Sequence, residues 1–156
     1  MKKSILFVCL GNICRSPAAE AVMRQKIEAA GLADQISVDS AGTYGGHAGE
    51  APDTRMRRAA GNRGYRLNHA ARQITSDDFE RFDLIVVMDN ANYDDVYDLA
   101  PSPEAAEKIH TLAEFFRKSD TDHVPDPYYG GAGGFERVLD LLEDGTQGLL
   151  EFIGNS

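Results

Sequence analysis

Cys9 and Arg15 stand six positions apart in Cys-Leu-Gly-Asn-Ile-Cys-Arg-Ser, residues 9–16, and the pair could handle an anion covalently. A thiolate is a strong nucleophile. A guanidinium presents a planar fork to two phosphate oxygens, where a lysine presents a point charge. Between them, Gly11 and Asn12 are residue types that accept a left-handed backbone. Successive amides of Leu10, Gly11, Asn12, Ile13 and Cys14 can therefore turn inward as an anion nest, backed by the positive end of a following helix. Ser16 can donate its hydroxyl to the Cys9 sulfur, and such donors favour thiolate over thiol. The loop holds no lysine, so it is not the GxxxxGK[ST] nucleotide loop. Cys9 at the floor of a phosphate cradle would face the phosphorus directly, poised for covalent catalysis.

Taken singly, each residue has an ordinary structural explanation. A lone cysteine at a strand end is usually a small buried hydrophobe. An arginine at a helix start is usually solvated, and Ser-Pro is a common helix opening. Their joint placement at a strand–loop–helix junction is what carries the chemical reading.

The elements that must position this loop are legible on either side of it. "SILFVCL" (4–10) is an apolar run of strand length, suited to a strand buried on both faces. Ser16 is expected as the N-cap and Pro17 as the first helical residue. Ala19, Val22, Met23, Ile27 and Ala30 follow at helical spacing up to Gly31. "QISVDSAG" (35–42), "DLIVVMD" (83–89) and "KIHTL" (108–112) read as further strands. Helices are expected over 53–64 and roughly 90–98, with a short capped turn in "TSDDFERF". A C-terminal helix carries Phe135, Val138, Leu139, Leu142, Leu149, Leu150 and Ile153 on one face. Gly145 and Gly148 weaken that last helix locally. Strands alternating with helices imply a parallel sheet covered on both sides. In open α/β sheets ligands bind beyond the carboxyl ends of the strands, and the 9–16 loop sits at such an end.

With 156 residues the chain is expected to form one domain, 1–156. Its 42% apolar and 26% charged residues suit a soluble globular protein. "MKKSILFVCLGN" has two lysines before an apolar run, but the run breaks after Leu10 and no small-residue cleavage site follows. It is read as a first strand, and the protein as cytoplasmic. No apolar run approaches the ~18 residues a membrane span needs. Two cysteines five positions apart do not make a secreted disulfide framework. With four scattered histidines they show no metal-ligand spacing, so neither a metal nor another cofactor is expected. Net charge is −9, split between a basic half (11 Lys+Arg against 6 Asp+Glu in 1–75) and an acidic one (5 against 19 in 76–156). The overall sign argues against nucleic acid as a partner.

"VCLGNICRSP" resembles the low-molecular-weight protein tyrosine phosphatases, whose signature is C-x5-R-S near the N-terminus. The likeness continues at "DSAGT" (39–43), "ARQIT" (71–75), "FDLIVVMD" (82–89) and "DPYYGG" (126–131), so it spans nearly the whole chain in order. It implies a flavodoxin-like, doubly wound, four-stranded parallel sheet with helices on both faces. It also implies hydrolysis of phosphotyrosine and other aryl phosphate monoesters through a phosphocysteine. By resemblance Cys9 is the nucleophile, Arg15 binds the phosphoryl group and Ser16 stabilises the thiolate. Asp126 is the general acid for the leaving phenolate, then the base toward water. Composition alone does not separate Asp126 from Asp120 and Asp122; the Pro-Tyr-Tyr that follows it does. Ser40 and His69 resemble residues that hydrogen-bond Asn12 and hold the loop in shape. Tyr128 and Tyr129 resemble aromatic walls of a slot for the phosphorylated ring. The chain departs from the family at Gly45 and Gly46, where an aromatic is common, which leaves Tyr44 and His47 as the flanking candidates for that wall.

Cys14 has two readings, a loop residue packed inward or the partner that traps oxidised Cys9 as a reversible disulfide; the resemblance supports the second. The expected partners are tyrosine-phosphorylated proteins, a tyrosine kinase among them, with the enzyme a monomer or weak dimer. An arsenate reductase of the same fold is the nearest alternative, but that chemistry relays a disulfide through further cysteines, which this chain lacks. A phosphocysteine carrier of the sugar-uptake type would have no use for Arg15 together with Asp126. A non-catalytic phosphoprotein-binding module would normally have lost Cys9.

Overall fold

β1 (Lys3–Cys9), β2 (Ile36–Gly42), β3 (Leu84–Val87) and β4 (Ile109–Thr111) form one sheet in the order β2-β1-β3-β4, every pairing parallel. The structure is a computed structural model and describes residues 2–128 and 130–154. Each strand lies within two or three residues of an apolar run read from the sequence. Ile5, Phe7 and Cys9 of β1 point into one core, and Leu6 and Val8 into the other. That two-sided burial is why the strand is apolar throughout rather than alternating.

The first core is closed by α1 (Arg15–Ala29), α2 (Thr54–Gly61) and α6 (Ala132–Gly154), through Val22, Met23, Met56, Leu139 and Leu142. The second is closed by α3 (Asp78–Arg81), α4 (Asn90–Tyr97) and α5 (Pro103–Ala106), through Phe79, Val96 and partly buried Ala105 and Ala106. The sheet is thus doubly wound and flavodoxin-like, as expected. From β1 the chain goes outward on one side to β2 and on the other to β3. Connections leaving the two central strands diverge at that switch point and open a crevice beyond their carboxyl ends. Cys9 is the last residue of β1. No helix among the described residues is long and apolar enough to cross a membrane.

Two helix boundaries differ from the sequence reading. α1 begins at Arg15, not after Ser16, with Cys14 at the N-cap and no side-chain cap bond there. The Ser16 hydroxyl is committed to the 9–16 loop instead, and Pro17 still fits because a helix's first amides lack intrahelical acceptors. α2 starts where expected, with Asp53 Oδ1 accepting from the amides of Arg55 (2.8 Å) and Met56 (3.4 Å), but it ends at Gly61. α6 runs unbroken through Gly145 and Gly148. A Cβ at Gly145 would strike the Leu112 side chain, and one at Gly148 the Phe115 carbonyl oxygen, both in the 3-10 turn Leu112–Phe115. The helix gives up about 1 kcal/mol of propensity at each glycine and gains close contact with that turn.

Candidate active site

The 9–16 loop rises from the end of β1 and lies against the end of β2. A Cβ at Gly42 would sit 2.6 Å from the Leu10 carbonyl oxygen and 3.0 Å from the Asn12 amide, so this approach needs glycine. Asn12 is the only non-glycine among the described residues with positive φ (57°). The left-handed turn expected of Gly11 and Asn12 thus falls on Asn12 alone. Among the described residues, the amides of Gly11, Asn12, Ile13 and Cys14 donate to no protein acceptor, the condition for an anion nest.

Asn12 is buried and its amide is fully used. Nδ2 donates to Ser16 Oγ (2.8 Å) and Ser40 Oγ (3.0 Å), while Oδ1 accepts from the Arg72 amide (2.9 Å) and His69 Nε2 (2.8 Å). The Arg72 amide fixes which end of the side chain is oxygen, so His69 carries its proton on Nε2. Beyond this first set, Ser40 Oγ donates to Glu20 Oε1 (2.7 Å), which also lies 3.4 Å from His69 Nδ1. Arg24 holds the other Glu20 oxygen at 2.9 Å, and Arg72 joins Asp39 to Asp78. Leaving one such buried partner unmet costs about 1–3 kcal/mol, and this chain of contacts holds a loop whose turn is otherwise unfavourable. Glu20, Asp39 and His69 converge closely enough to suggest a metal site. Their atoms are already met by Ser40, Arg24, Arg72 and Asn12, so a prop for the loop accounts for them.

Cys9 is buried, with Sγ 3.0 Å from Ser16 Oγ and 3.4 Å from the Ser16 amide. Because Ser16 Oγ accepts from Asn12, its own hydrogen is free to point elsewhere. It has two acceptors in reach, Cys9 Sγ and the Ala41 carbonyl at 3.3 Å, and a thiolate is the stronger. Arg15, 2% exposed, donates from Nη1 to Asp89 Oδ2 (2.7 Å) and the Val124 carbonyl (3.0 Å). Burial works against its charge, but Cys9, Asp89 and Asp126 outweigh it and raise its pKa further. Asp89 Oδ1 meanwhile caps α4 through the Asn92 amide at 2.8 Å, so one carboxylate both starts a helix and aims the guanidinium.

Asp126 arrives from the long loop before α6. Val124 pins that loop to the end of β3 by donating its amide to the Met88 carbonyl (2.8 Å). Asp126 Oδ1 accepts from the Tyr128 amide at 3.0 Å, and Oδ2 lies 3.6 Å from Arg15 Nη2. Its neighbour Asp122 is 92% exposed and paired with His123, whose hydrogen bond holds its carboxyl below the usual range. Asp126 lines the cleft above Cys9, and Asp120 and Asp122 do not.

That cleft has a volume of about 450 Å³, with Leu10, Gly11, Ile13 and Cys14 also on its surface. Tyr44 and His47 meet edge to face at 5.8 Å, and His47 lies 6.4 Å from the Tyr128 ring. A Cβ at Gly46 would run into the Tyr44 ring and one at Gly45 into the Gln73 side chain, so of the two glycines replacing the usual aromatic, Gly46 makes room for Tyr44. Tyr129 lies outside the described residues. Cys14 is buried, and burial, followed by Asp53, Cys9 and Asp126, pushes its thiol well above the usual range. The sequence reading gave no role to Asp89, Glu20, Asp39 or Arg72. Asp89 had a usable signal, an acid just after a buried strand at the ligand-binding end of the sheet; the other three look like ordinary surface charges in one dimension.

Comparison with known proteins agrees on one family. Its profile, for low molecular weight phosphotyrosine protein phosphatases, matches residues 4–156. The chain is 48% identical over 150 residues to a putative low molecular weight protein-tyrosine-phosphatase of Synechocystis, covering 96% of each chain. It is 45% identical to the low molecular weight protein-tyrosine-phosphatase of Streptomyces coelicolor, covering 96% of this chain and 93% of that one. Among solved structures, a protein tyrosine phosphatase from Entamoeba histolytica with Hepes in its active site superposes with a TM-score of 0.96 at 45% identity. That match covers 99% of this chain and 98% of the other.

Proposed function

The chain belongs to the low molecular weight phosphotyrosine protein phosphatase family, and from that premise we propose how its own residues hydrolyse phosphotyrosine in proteins and other aryl phosphates. The phosphate dianion seats in the 9–16 loop, its oxygens on the inward amides and on the Arg15 fork. Cys9 sulfur attacks phosphorus in line; the S–P bond forms as the P–O bond to the phenol breaks. Asp126 gives its proton to the departing oxygen, which leaves as a neutral phenol. In the second step Asp126 carboxylate takes a proton from water, the water oxygen attacks phosphorus, and Cys9 leaves as thiolate. Inorganic phosphate is released. Positioning and charge stabilisation supply most of the barrier lowering in such transfers.

The observation that carries this reading is the convergence at the β1/β3 switch point. Buried Cys9 and Arg15 share one loop there, and Asp126 Oδ2 stands 3.6 Å from Arg15. Tyr44, His47 and Tyr128 supply the aromatic wall, Ser40 and His69 the bracing of Asn12. The test is an acid quench during turnover of a phosphotyrosyl peptide, followed by mass spectrometry. A single added phosphoryl group on the Cys9 peptide, absent without substrate, is expected. Turnover with phosphate found on histidine, or on no residue at all, would remove Cys9 from its role.

We further assign the enzyme a cytoplasmic setting, as one domain working alone or in weak dimers on phosphotyrosyl proteins, kinases included. Its cysteines are both unpaired, which suits a reducing compartment. Redox control would run through them. Cys9 thiolate attacks peroxide, giving sulfenic acid and hydroxide; the Cys14 thiol then displaces water to close the disulfide. Because burial holds Cys14 as a thiol, closure should be slow and depend on loop movement. Peroxide-inactivated enzyme should regain activity with added thiol, its linked Cys9–Cys14 peptide lighter by two hydrogens. Cys14→Ser should recover several-fold less; equal recovery would show that Cys14 protects nothing.

A further inference from the structure

Beyond the Tyr128 wall lies a second depression, of about 290 Å³, between α2 and the start of α6. Its floor is apolar, from buried Ala59 and Phe135, and its rim carries Arg55, Arg58 and Asn62. Arg55 ties this groove to the active site. Its guanidinium sits 5.3 Å above the Tyr128 ring and 4.9 Å above Phe135, and Nη2 donates to the Tyr128 carbonyl at 2.9 Å. Nε and Nη2 are engaged by Asp53 and Tyr128, but Nη1 makes no bond among the described residues. Arg58 is exposed and has no ion-pair partner among them.

The groove's own acid, Glu136, is paired from outside it. Arg63 binds Glu136 at 2.8 Å and also holds Asp140 (2.9 Å) and Glu143 (3.1 Å). These three α6 acids gather around Arg63, and none of them pairs with Arg58 among the described residues. Arg55 is paired with Asp53 and Glu136 with Arg63, so Arg58 is the groove cation with no ion-pair partner among the described residues, next to the slot where the phosphorylated ring must enter. An apolar floor with two guanidinium groups at the rim fits a carboxylate carried on a short methylene stem. An extended peptide advances about 3.3 Å per residue, so the occupant would come from within a few positions of the phosphorylated residue.

We propose that the Arg55–Arg58 groove is a substrate subsite that takes a glutamate or aspartate flanking the phosphotyrosine. The proposal rests on the phosphatase reading above and adds a sequence preference to it. The test compares phosphotyrosyl peptides in which one position, scanned from four before to four after the phosphotyrosine, is Glu, Gln or Lys. Glutamate at one or two of these positions should raise kcat/KM about three- to tenfold, through KM with kcat unchanged. The gain should shrink at high salt, because the groove is open to solvent. Arg58→Gln should abolish the preference, and Arg58→Glu should reverse it toward lysine. Turnover of p-nitrophenyl phosphate, which has no flanking residues, should stay within about twofold of wild type in both variants.

Equal kcat/KM for the three peptides at every position, or a preference that survives Arg58→Gln, would overturn the subsite. Binding to phosphatidylserine vesicles that Arg58→Glu abolishes, with no peptide preference, would give the groove to a membrane surface and also overturn it. Failure to turn over any substrate, p-nitrophenyl phosphate included, would instead strike the phosphatase reading and the subsite with it.

Discussion

Cys9→Ser should lower turnover of p-nitrophenyl phosphate by about 10⁴–10⁶, the range expected when a covalent nucleophile is removed. Serine fits the site: it is nearly isosteric, and the Ser16 hydroxyl at 3.0 Å from Sγ can bond an alcohol oxygen. It cannot ionise at neutral pH, so the loop should keep its shape and lose its reactivity. Vanadate or phosphate should therefore still bind, and phosphotyrosyl substrates should be retained by the variant. Arg15→Lys separates charge from geometry. Lysine keeps the cation but loses the planar fork, in which Nη1 is anchored by Asp89 and Val124 while Nη2 lies toward Asp126. A loss of about 10²–10³ in kcat is expected, comparable to removing one fixed donor from a transition-state oxyanion site. Near-wild-type turnover in Cys9→Ser would exclude the phosphocysteine route; near-wild-type turnover in Arg15→Lys would reduce Arg15 to a charge.

Asp126→Asn should cost about 10²–10⁴ in turnover of esters with poorly acidic phenols, and progressively less as the leaving phenol becomes more acidic. A stable phenolate departs without a proton, so the benefit of a general acid fades along that series. Asparagine can still accept the Tyr128 amide at Oδ1, which keeps the turn and isolates the proton from the fold. The pH profile gives a second readout. Its basic limb reports loss of the acid's proton and should vanish in the variant, while the acidic limb, from thiolate formation and substrate ionisation, should remain. A uniform loss across leaving groups with both limbs intact would move the acid elsewhere. Asp122 is the first alternative by sequence, but it is exposed and bound to His123, so Asp122→Asn should leave the series unchanged.

The sequence by itself determined the features set by local physics. A both-faces-buried strand must be apolar throughout, and "SILFVCL" was legible as β1 for that reason. The 9–16 loop was legible because a thiol, a guanidinium and a left-handed residue at a strand–helix junction are rarely combined without an anion to bind. Four strands alternating with helices limited the fold to a covered parallel sheet. Local signals misled at Ser16: its hydroxyl could cap a helix, but the tertiary contact with Cys9 and Asn12 claims it, and α1 starts two residues earlier. Gly145 and Gly148 likewise weaken a helix in isolation, and only their contact with the Leu112–Phe115 turn accounts for an unbroken α6. Long-range pairing decided the rest. Which acid reaches Arg15 depends on Val124 tying its loop to β3, and Asp89 aims the guanidinium from 74 residues away. The pairing of Glu136 with Arg63, which leaves Arg58 with no ion-pair partner among the described residues, joins residues 73 apart. A charge's partner is set by where the folded backbone carries it, and no periodicity along the chain records that distance.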